Sequence, residues 1–266
     1  MSEIAYPGTD KYSMAELIVI LFARDQAGPI ETGRGFASGG ADAMIPMATQ
    51  QLLAAAAGSQ TAGDTLAASN WDPRLASQAE SMRSMMDTVD IFVKRGRTYR
   101  GGAFAGGMQI DKYGNLNMIG IGTWPRLKVR GPGTVGVIWS AVGPGGIWTQ
   151  HHNKRVLVEK VDYVSGPGWL DGGDSRAKAY PGRDGPKRLY TPICVFDFTE
   201  DMHVARLVSV NPGYTVKDVL DNTGFTPVLP KDVPQTTPPT DYELNLLRTR
   251  VDRTGVLRRY TRLTVG

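Results

Sequence analysis

The 266-residue chain is poor in the side chains that staple or metallate a fold. It has one cysteine, Cys194, and three histidines. A lone cysteine excludes an internal disulfide and any multi-cysteine zinc or iron–sulfur site, and it fits a reducing compartment. Long hydrophobic runs are missing too: the longest, Leu17 to Ala23, falls far short of the ~20 residues a membrane span needs. Met1 to Tyr12 carries acids and no basic segment leading into an apolar stretch, so no secretory signal is expected. Nor is one sign of charge in excess, since 30 basic against 26 acidic residues leave +4. The densest basic cluster is Arg248, Arg250, Arg253, Arg258, Arg259 and Arg262, in the C-terminal segment. It is interrupted by Asp252 and has no aromatic stacking platform, so it reads as a solvated tail rather than a nucleic-acid surface. These absences lead us to expect a soluble, cytoplasmic protein that binds neither nucleic acid nor membrane.

What is present suits an α/β fold. Hydrophobic residues make up 41% of the chain, enough for one sizeable core, and 32 glycines with 17 prolines imply many loops. Ser13-Met14-Ala15-Glu16 is a capping-box pattern before an apolar helix that Gly28 would stop. Ile30 to Ala37 reads as a short strand, and Met47 to Ala57 as a helix entered at Pro46. Leu66 to Ser69, Val89 to Val93, Leu116 to Ile121 and above all Val156 to Val164 read as strands, with a helical stretch over Pro73 to Thr88. Ile193 to Phe198 and Ala205 to Val210 read as a strand pair. Thr215 with Asp218, and Thr240 with Glu243, signal two more helix starts. Four prolines between Pro230 and Pro239 mark a tether. The expectation is a single α/β domain over 1–266: one mixed sheet with helices on both faces. A tether, helix and tail over 230–266 form a C-terminal appendage.

The usual catalytic signatures are absent: no Gly-x-Ser-x-Gly, no Walker loop, no His-Glu-x-x-His. His151 and His152 are adjacent and would face opposite sides of a strand, so they do not suit one metal, and no metal site is expected. Cys194 sits in an apolar strand and reads as a buried structural thiol rather than a nucleophile. Gly131-Pro132-Gly133-Thr134-Val135-Gly136 matches the dinucleotide fingerprint formally. The preceding Arg126-Leu127-Lys128-Val129-Arg130 is charged where that fold needs a buried strand. The alternatives are a loop whose amides face an anionic or developing-anionic ligand, and a plain turn.

Several blocks together resemble the β-type subunit of family I CoA-transferases. They are Gln109-Ile110-Asp111-Lys112-Tyr113-Gly114-Asn115-Leu116-Asn117, Arg130-Gly131-Pro132-Gly133, Asn153 to Val164, and Ser165-Gly166-Pro167-Gly168. Val195 to Phe198, Arg206 to Gly213, Thr223-Gly224-Phe225 and Pro238 to Arg248 follow in the same order. The resemblance implies a subunit that acts with an α-type partner of similar fold, as a heterodimer or heterotetramer. It also implies an acyl-CoA thioester held beside glycine-rich loops, with coenzyme A entering as part of the substrate and no permanently bound cofactor. Backbone amides beside glycine can stabilise negative charge on a thioester oxygen. Gly131, Gly133 and Gly136 are therefore candidates beside the acyl group. Gln109, Asn115 and Asn117 are candidates either for substrate contact or for a purely structural turn.

The chain departs from the transferase pattern at one place. Transferases of this family carry a nucleophilic glutamate at the end of an early strand. Here the corresponding stretch is Asp64-Thr65-Leu66-Ala67-Ala68-Ser69-Asn70-Trp71. Serine and asparagine cannot form the acyl anhydride and glutamyl thioester of that exchange, so Ser69 and Asn70 become the candidate catalytic positions of a different reaction. Three readings remain open. One is a hydrolase or lyase acting on CoA thioesters, as in ring-opening relatives of steroid or aromatic catabolism. The second is a true CoA-transferase whose carboxylate comes from elsewhere, and the third a non-catalytic supporting subunit.

Overall fold

The computed structural model of the protein describes residues 11–30, 37–38, 44–56, 103–141, 145–260 and 263–266. The strands and helices expected between Ala57 and Val93, and with them Ser69 and Asn70, lie outside the described residues. Two compact units are distinguished. One contains Gly102–Thr236 and Thr264–Gly266; the other contains Gly8–Gly101 and Thr237–Leu263. Their boundary falls within the proline-rich tether.

In the second unit α1 (Met14–Ile30) begins at the capping box read from sequence: Ser13 N donates to Glu16 Oε2 at 2.8 Å, and Glu16 N donates to Ser13 Oγ at 3.1 Å. The helix continues past Gly28 to Ile30, so the strand expected from Ile30 is reduced to β1 (Ala37–Ser38). Helix α2 (Met44–Ala56) buries Ile45, Ala48, Leu52 and Leu53.

The first unit holds the remaining strands: β2 (Ala103–Ala105), β3 (Gln109–Asp111), β4 (Leu116–Asn117), β5 (Gly120–Thr123) and β6 (Arg126–Arg130), then β7 (Gly146–Trp148), β8 (His151–His152), β9 (Leu157–Val158), β10 (Arg188–Tyr190), β11 (Cys194–Phe198), β12 (Ala205–Val210) and β13 (Thr264–Val265). Its helices are α3 (Ser175–Ala179) and α4 (Val216–Asn222). Strands β2, β7, β10, β11 and β12 lie side by side in that order, parallel from β2 to β10 and antiparallel beyond. The expected β11–β12 pair is present in antiparallel register, Cys194 opposite Val210 and Phe198 opposite Ala205. Ile110, Leu116, Leu157, Leu189, Phe196, Leu207 and Val219 join them in one core.

The architecture is mixed α/β, but the single sheet expected from sequence is replaced by several among the described residues. β4-β3-β9, β5-β6 and β13-β8 form separate small sheets. Side chains cut the strands. Asn117 Oδ1 accepts the amides of Ile119 and Gly120, which bends the expected Leu116–Ile121 strand into two. The strand expected over Val156–Val164 stops after Val158. Asp162 N then donates to Gln109 Oε1 at 3.0 Å and Val161 N approaches Asp111 Oδ2 at 3.5 Å, so side chains take the place of a ladder.

Helices α4 and α5 (Asp241–Leu246) both start in complete capping boxes, on Thr215 with Asp218 and Thr240 with Glu243. Beyond α5 the basic segment is not a free tail. Arg248 Nε donates to Glu16 Oε1 at 2.8 Å, and Asp252 caps the amides of Val256 and Leu257. Glu16, fully buried, needed a cation.

Candidate thioester-binding loop and its supports

The glycine-rich loop emerges from the β5–β6 hairpin. β6 is solvent-exposed along most of its length and pairs antiparallel with β5. A 3₁₀ segment, Val135–Ala141, follows the loop. A dinucleotide fingerprint needs a buried parallel strand before it and an α-helix after it. Neither flank has that form.

Gly131 is pinned. A Cβ there would lie 2.1 Å from Met118 O and 2.6 Å from Met108 Sδ. Its amide donates to Ile119 O at 2.8 Å, and the amide of Gly133, at φ +96°, donates to Met118 O at 3.1 Å. These two amides anchor the loop and are not free to meet a substrate oxygen. The amides of Thr134, Val135 and Gly136 have no acceptor among the described residues. Of the three glycines singled out from sequence, Gly136 alone keeps its donor.

Gln109, Asn115 and Asn117 all lie buried behind that loop. Asn117 uses its whole side-chain capacity: Nδ2 donates to Gln109 Oε1 and Gly120 O, both at 2.7 Å, while Oδ1 accepts Ile119 N and Gly120 N. Asn115 Nδ2 donates to Asp111 Oδ2 and Leu170 O, and its Oδ1 accepts the amides of Gly168 and Leu170. A side chain whose donors and acceptors are all spent inside the protein holds shape. Burial pushes the Asp111 carboxyl above its usual value, opposed by the donors of Asn115, Tyr113 and Val161. A cavity of about 380 Å³ opens beside this turn, lined by Asp111, Lys112, Tyr113, Glu159, Lys160 and Leu170 among others. Its lysines face carboxylates, Lys112 on Glu159 and Lys160 near Asp171, so it presents no free cation.

The Ser165-Gly166-Pro167-Gly168 run connects these parts. Ser165 Oγ accepts Met118 N at 2.8 Å and donates to Leu116 O at 2.9 Å. A Cβ on Gly166 would lie 2.9 Å from Val137 O in the 3₁₀ segment. The buried Arg176 guanidinium donates to the carbonyls of Pro167, Gly168 and Arg183. Sequence reading missed Arg176 because its acceptors are carbonyls, which leave no pattern of partner residues.

His151 Nδ1 meets Thr264 Oγ1 at 2.7 Å, while His152 is buried between Thr191 Oγ1 and Thr223 Oγ1. Burial drives the His152 imidazole down to about 3 and raises the Cys194 thiol, so both are neutral packing groups at neutral pH. No cluster of three metal-ligating side chains occurs among the described residues, and no helix among them is long and apolar enough to cross a membrane.

The Coenzyme A transferase family profile matches residues 75–222, more than half of the chain. The chain belongs to the Coenzyme A transferase family. It is 36% identical over 151 residues to a glutaconate CoA-transferase subunit of Acidaminococcus fermentans, a match covering 56% of this chain and 56% of that one. It is 34% identical over 148 residues to the cholesterol ring-cleaving hydrolase IpdB subunit of Rhodococcus jostii, covering 55% of this chain and 58% of that one. These matches thus span little more than half of either relative. The crystal structure of Rhodococcus jostii RHA1 IpdAB has the same fold, with a TM-score of 0.73, 24% identity, and coverage of 94% of this chain and 98% of that chain. With the fold comes the β-type assignment read from the motif blocks.

Proposed function

We propose that this chain is the β-type subunit of a heteromeric enzyme acting on an acyl-CoA thioester, and that its reaction is hydrolytic or lyase cleavage rather than CoA transfer. The observation that carries the reading is the stretch Asp64-Thr65-Leu66-Ala67-Ala68-Ser69-Asn70-Trp71. Where a transferase needs a glutamate to accept the acyl group and then CoA, this chain offers a hydroxyl and an amide. Ser69 and Asn70 would orient a carbonyl or a water, and the acid–base group would come from the α-type partner. The unspent amides of the Thr134–Gly136 stretch support the acyl end of the reading, because they can stabilise an oxygen on which negative charge develops. The similarity to both a CoA-transferase subunit and a ring-cleaving hydrolase subunit is compatible with either chemistry, and the missing glutamate favours the second.

The test is to incubate the reconstituted enzyme with an acyl-CoA and trap it with hydroxylamine or borohydride. Substrate consumption without a trapped enzyme-bound thioester supports cleavage. A glutamyl adduct on either subunit would establish CoA transfer instead, and turnover unchanged in Ser69→Ala, Asn70→Ala and Gly133→Ala variants would identify a supporting subunit.

A further inference from the structure

The β5–β6 hairpin carries three cations with nothing to neutralise them. Arg126, Lys128 and Arg130 are exposed, and none of their side chains has an ion pair or hydrogen bond among the described residues. That is unusual in this unit, where Lys112, Lys178, Arg206 and Lys217 each meet a carboxylate. At the hairpin tip stands Trp124, 65% exposed, the most exposed large hydrophobic residue of this unit.

The hairpin is braced so that this array holds its shape. Gly122 N donates to Asp162 Oδ2 at 2.6 Å, Trp124 N donates to Tyr163 Oη at 2.8 Å, and Tyr163 Oη donates to Gly122 O at 2.9 Å. The register sorts the cations by face. Gly120 lies opposite Arg130 and Gly122 opposite Leu127, with a bulge that leaves Lys128 unpaired. Cross-strand partners share a face, and a Cβ on Gly122 would lie 3.4 Å from Lys128 Cγ. Lys128 and Arg130 thus stand on the face floored by Gly120 and Gly122, Arg126 stands on the other with Val129, and Trp124 caps the tip.

Two unpaired cations above a glycine floor suit phosphate oxygens, and an exposed indole suits the π-face of a base. We propose that this hairpin binds the nucleotide end of the acyl-CoA, its phosphates against Lys128 and Arg130 and its adenine against Trp124. The proposal rests on the acyl-thioester reading for its ligand, and the lengths agree with it. The arm from sulfur to pyrophosphate has about four peptide units' worth of bonds, roughly 15 Å at the extended-chain reach. The strand from Gly131 back to Arg126 covers about 17 Å at ~3.4 Å per residue. A thioester at the glycine loop therefore leaves the nucleotide alongside the hairpin.

The test uses adenosine 3′,5′-bisphosphate, which lacks the arm and the thioester, in calorimetric titrations of the full chain at low salt. Wild type should bind. A Lys128→Gln/Arg130→Gln double variant and Trp124→Ala should each weaken binding about tenfold or more, equivalent to losing one good contact, while Lys128→Arg should retain it. Because these side chains are exposed, thermal melts should match wild type and so separate binding from folding. No binding by wild type, or binding unchanged in the double variant, would overturn the hairpin site and leave the acyl-thioester reading standing. So would a double variant that keeps its nucleotide affinity but no longer co-elutes with a partner chain, since the hairpin would then be a protein-docking surface. Hairpin-dependent binding in a protein that turns over no CoA thioester would support the nucleotide site and remove the acyl-thioester reading.

Discussion

Asn117→Asp tests whether the buried turn behind the glycine loop is a scaffold or a substrate contact. The substitution keeps shape and volume but exchanges a two-donor nitrogen for an oxygen. Asn117 is fully buried, and its Nδ2 serves Gln109 Oε1 and Gly120 O. The protonated acid offers one donor to these two acceptors, so one bond is lost and one buried acceptor is left facing oxygen, at about 1–3 kcal/mol. The ionised acid is worse placed, because it turns negative charge on both acceptors in a desolvated site. The amides of Ile119 and Gly120 at Oδ1 offset part of this, and we take the folded carboxyl to lie about two units above its unfolded value of ~3.9. The sign then follows. The group binds its proton more tightly when folded, so the deficit is smallest below pH ~4, grows as pH rises from ~4 to ~6, and stays constant above. At pH 7 it reaches about 4–5 kcal/mol: ~3 from two units at ~1.4 each, plus the lost hydrogen bond. Urea denaturation of wild type and variant at pH 4, 5, 6 and 7 reads both the size and the slope. A difference below about 1 kcal/mol at every pH, with substrate affinity alone impaired, would refute the scaffold assignment.

Other consequences are more direct. Ser165→Ala strips the acceptor from Met118 N while Leu116 O keeps the amides of Ser165 and Gly166. It should cost about 1–3 kcal/mol, or roughly 3–10 °C in melting temperature. It should also slow turnover, because Met118 O holds Gly133; a variant that melts and turns over as wild type would break that link. His152 sits at about 3 when folded against an ordinary value of 6.5. The folded state thus refuses a proton the unfolded chain accepts, and the stability present above pH ~6.5 is lost as pH falls. Between pH 6.5 and 5.5 the loss should be about 1 kcal/mol from this group, and a His152→Gln variant, measured by urea denaturation, should lack that increment.

The parts of this fold that were legible in the sequence are those whose partners lie within a few residues. The boxes at Ser13, Thr215 and Thr240 each bond a side chain to an amide three residues on, and all three are present. The β11–β12 pair was legible because its two apolar runs are close in sequence and antiparallel. Val156–Val164 misled for the opposite reason. Its apolar content reads as a strand, but Gln109 and Asp111, some fifty positions away, take the amides of Asp162 and Val161 and end the ladder. The arginine segment misled likewise, since Glu16 and Arg248 are 232 positions apart. For the glycine loop, the motif showed which residues line it. It could not show that Gly131 and Gly133 spend their amides on Ile119 and Met118, because that depends on where the Asn117 turn puts those carbonyls.

That arrangement bears on how one scaffold can serve more than one reaction. The loop is held from behind by a relay: Arg176 on the carbonyls of Pro167 and Gly168, Ser165 on Leu116 and Met118, and Met118 and Ile119 on Gly133 and Gly131. Every member is a hydrogen bond inside one unit, and none depends on what the thioester becomes after attack. A rigid donor loop of this kind stabilises developing charge on the oxygen alike for an anhydride, an enolate or a tetrahedral intermediate. Selection among transfer, hydrolysis and carbon–carbon cleavage must then come from the group that attacks or removes a proton. In this chain that choice falls on Asp64 to Trp71 and on the partner that faces it. Exchanging Ser69 for glutamate would change the attacking group without supplying a pocket that keeps water from an anhydride, which is why that single change should not create CoA transfer.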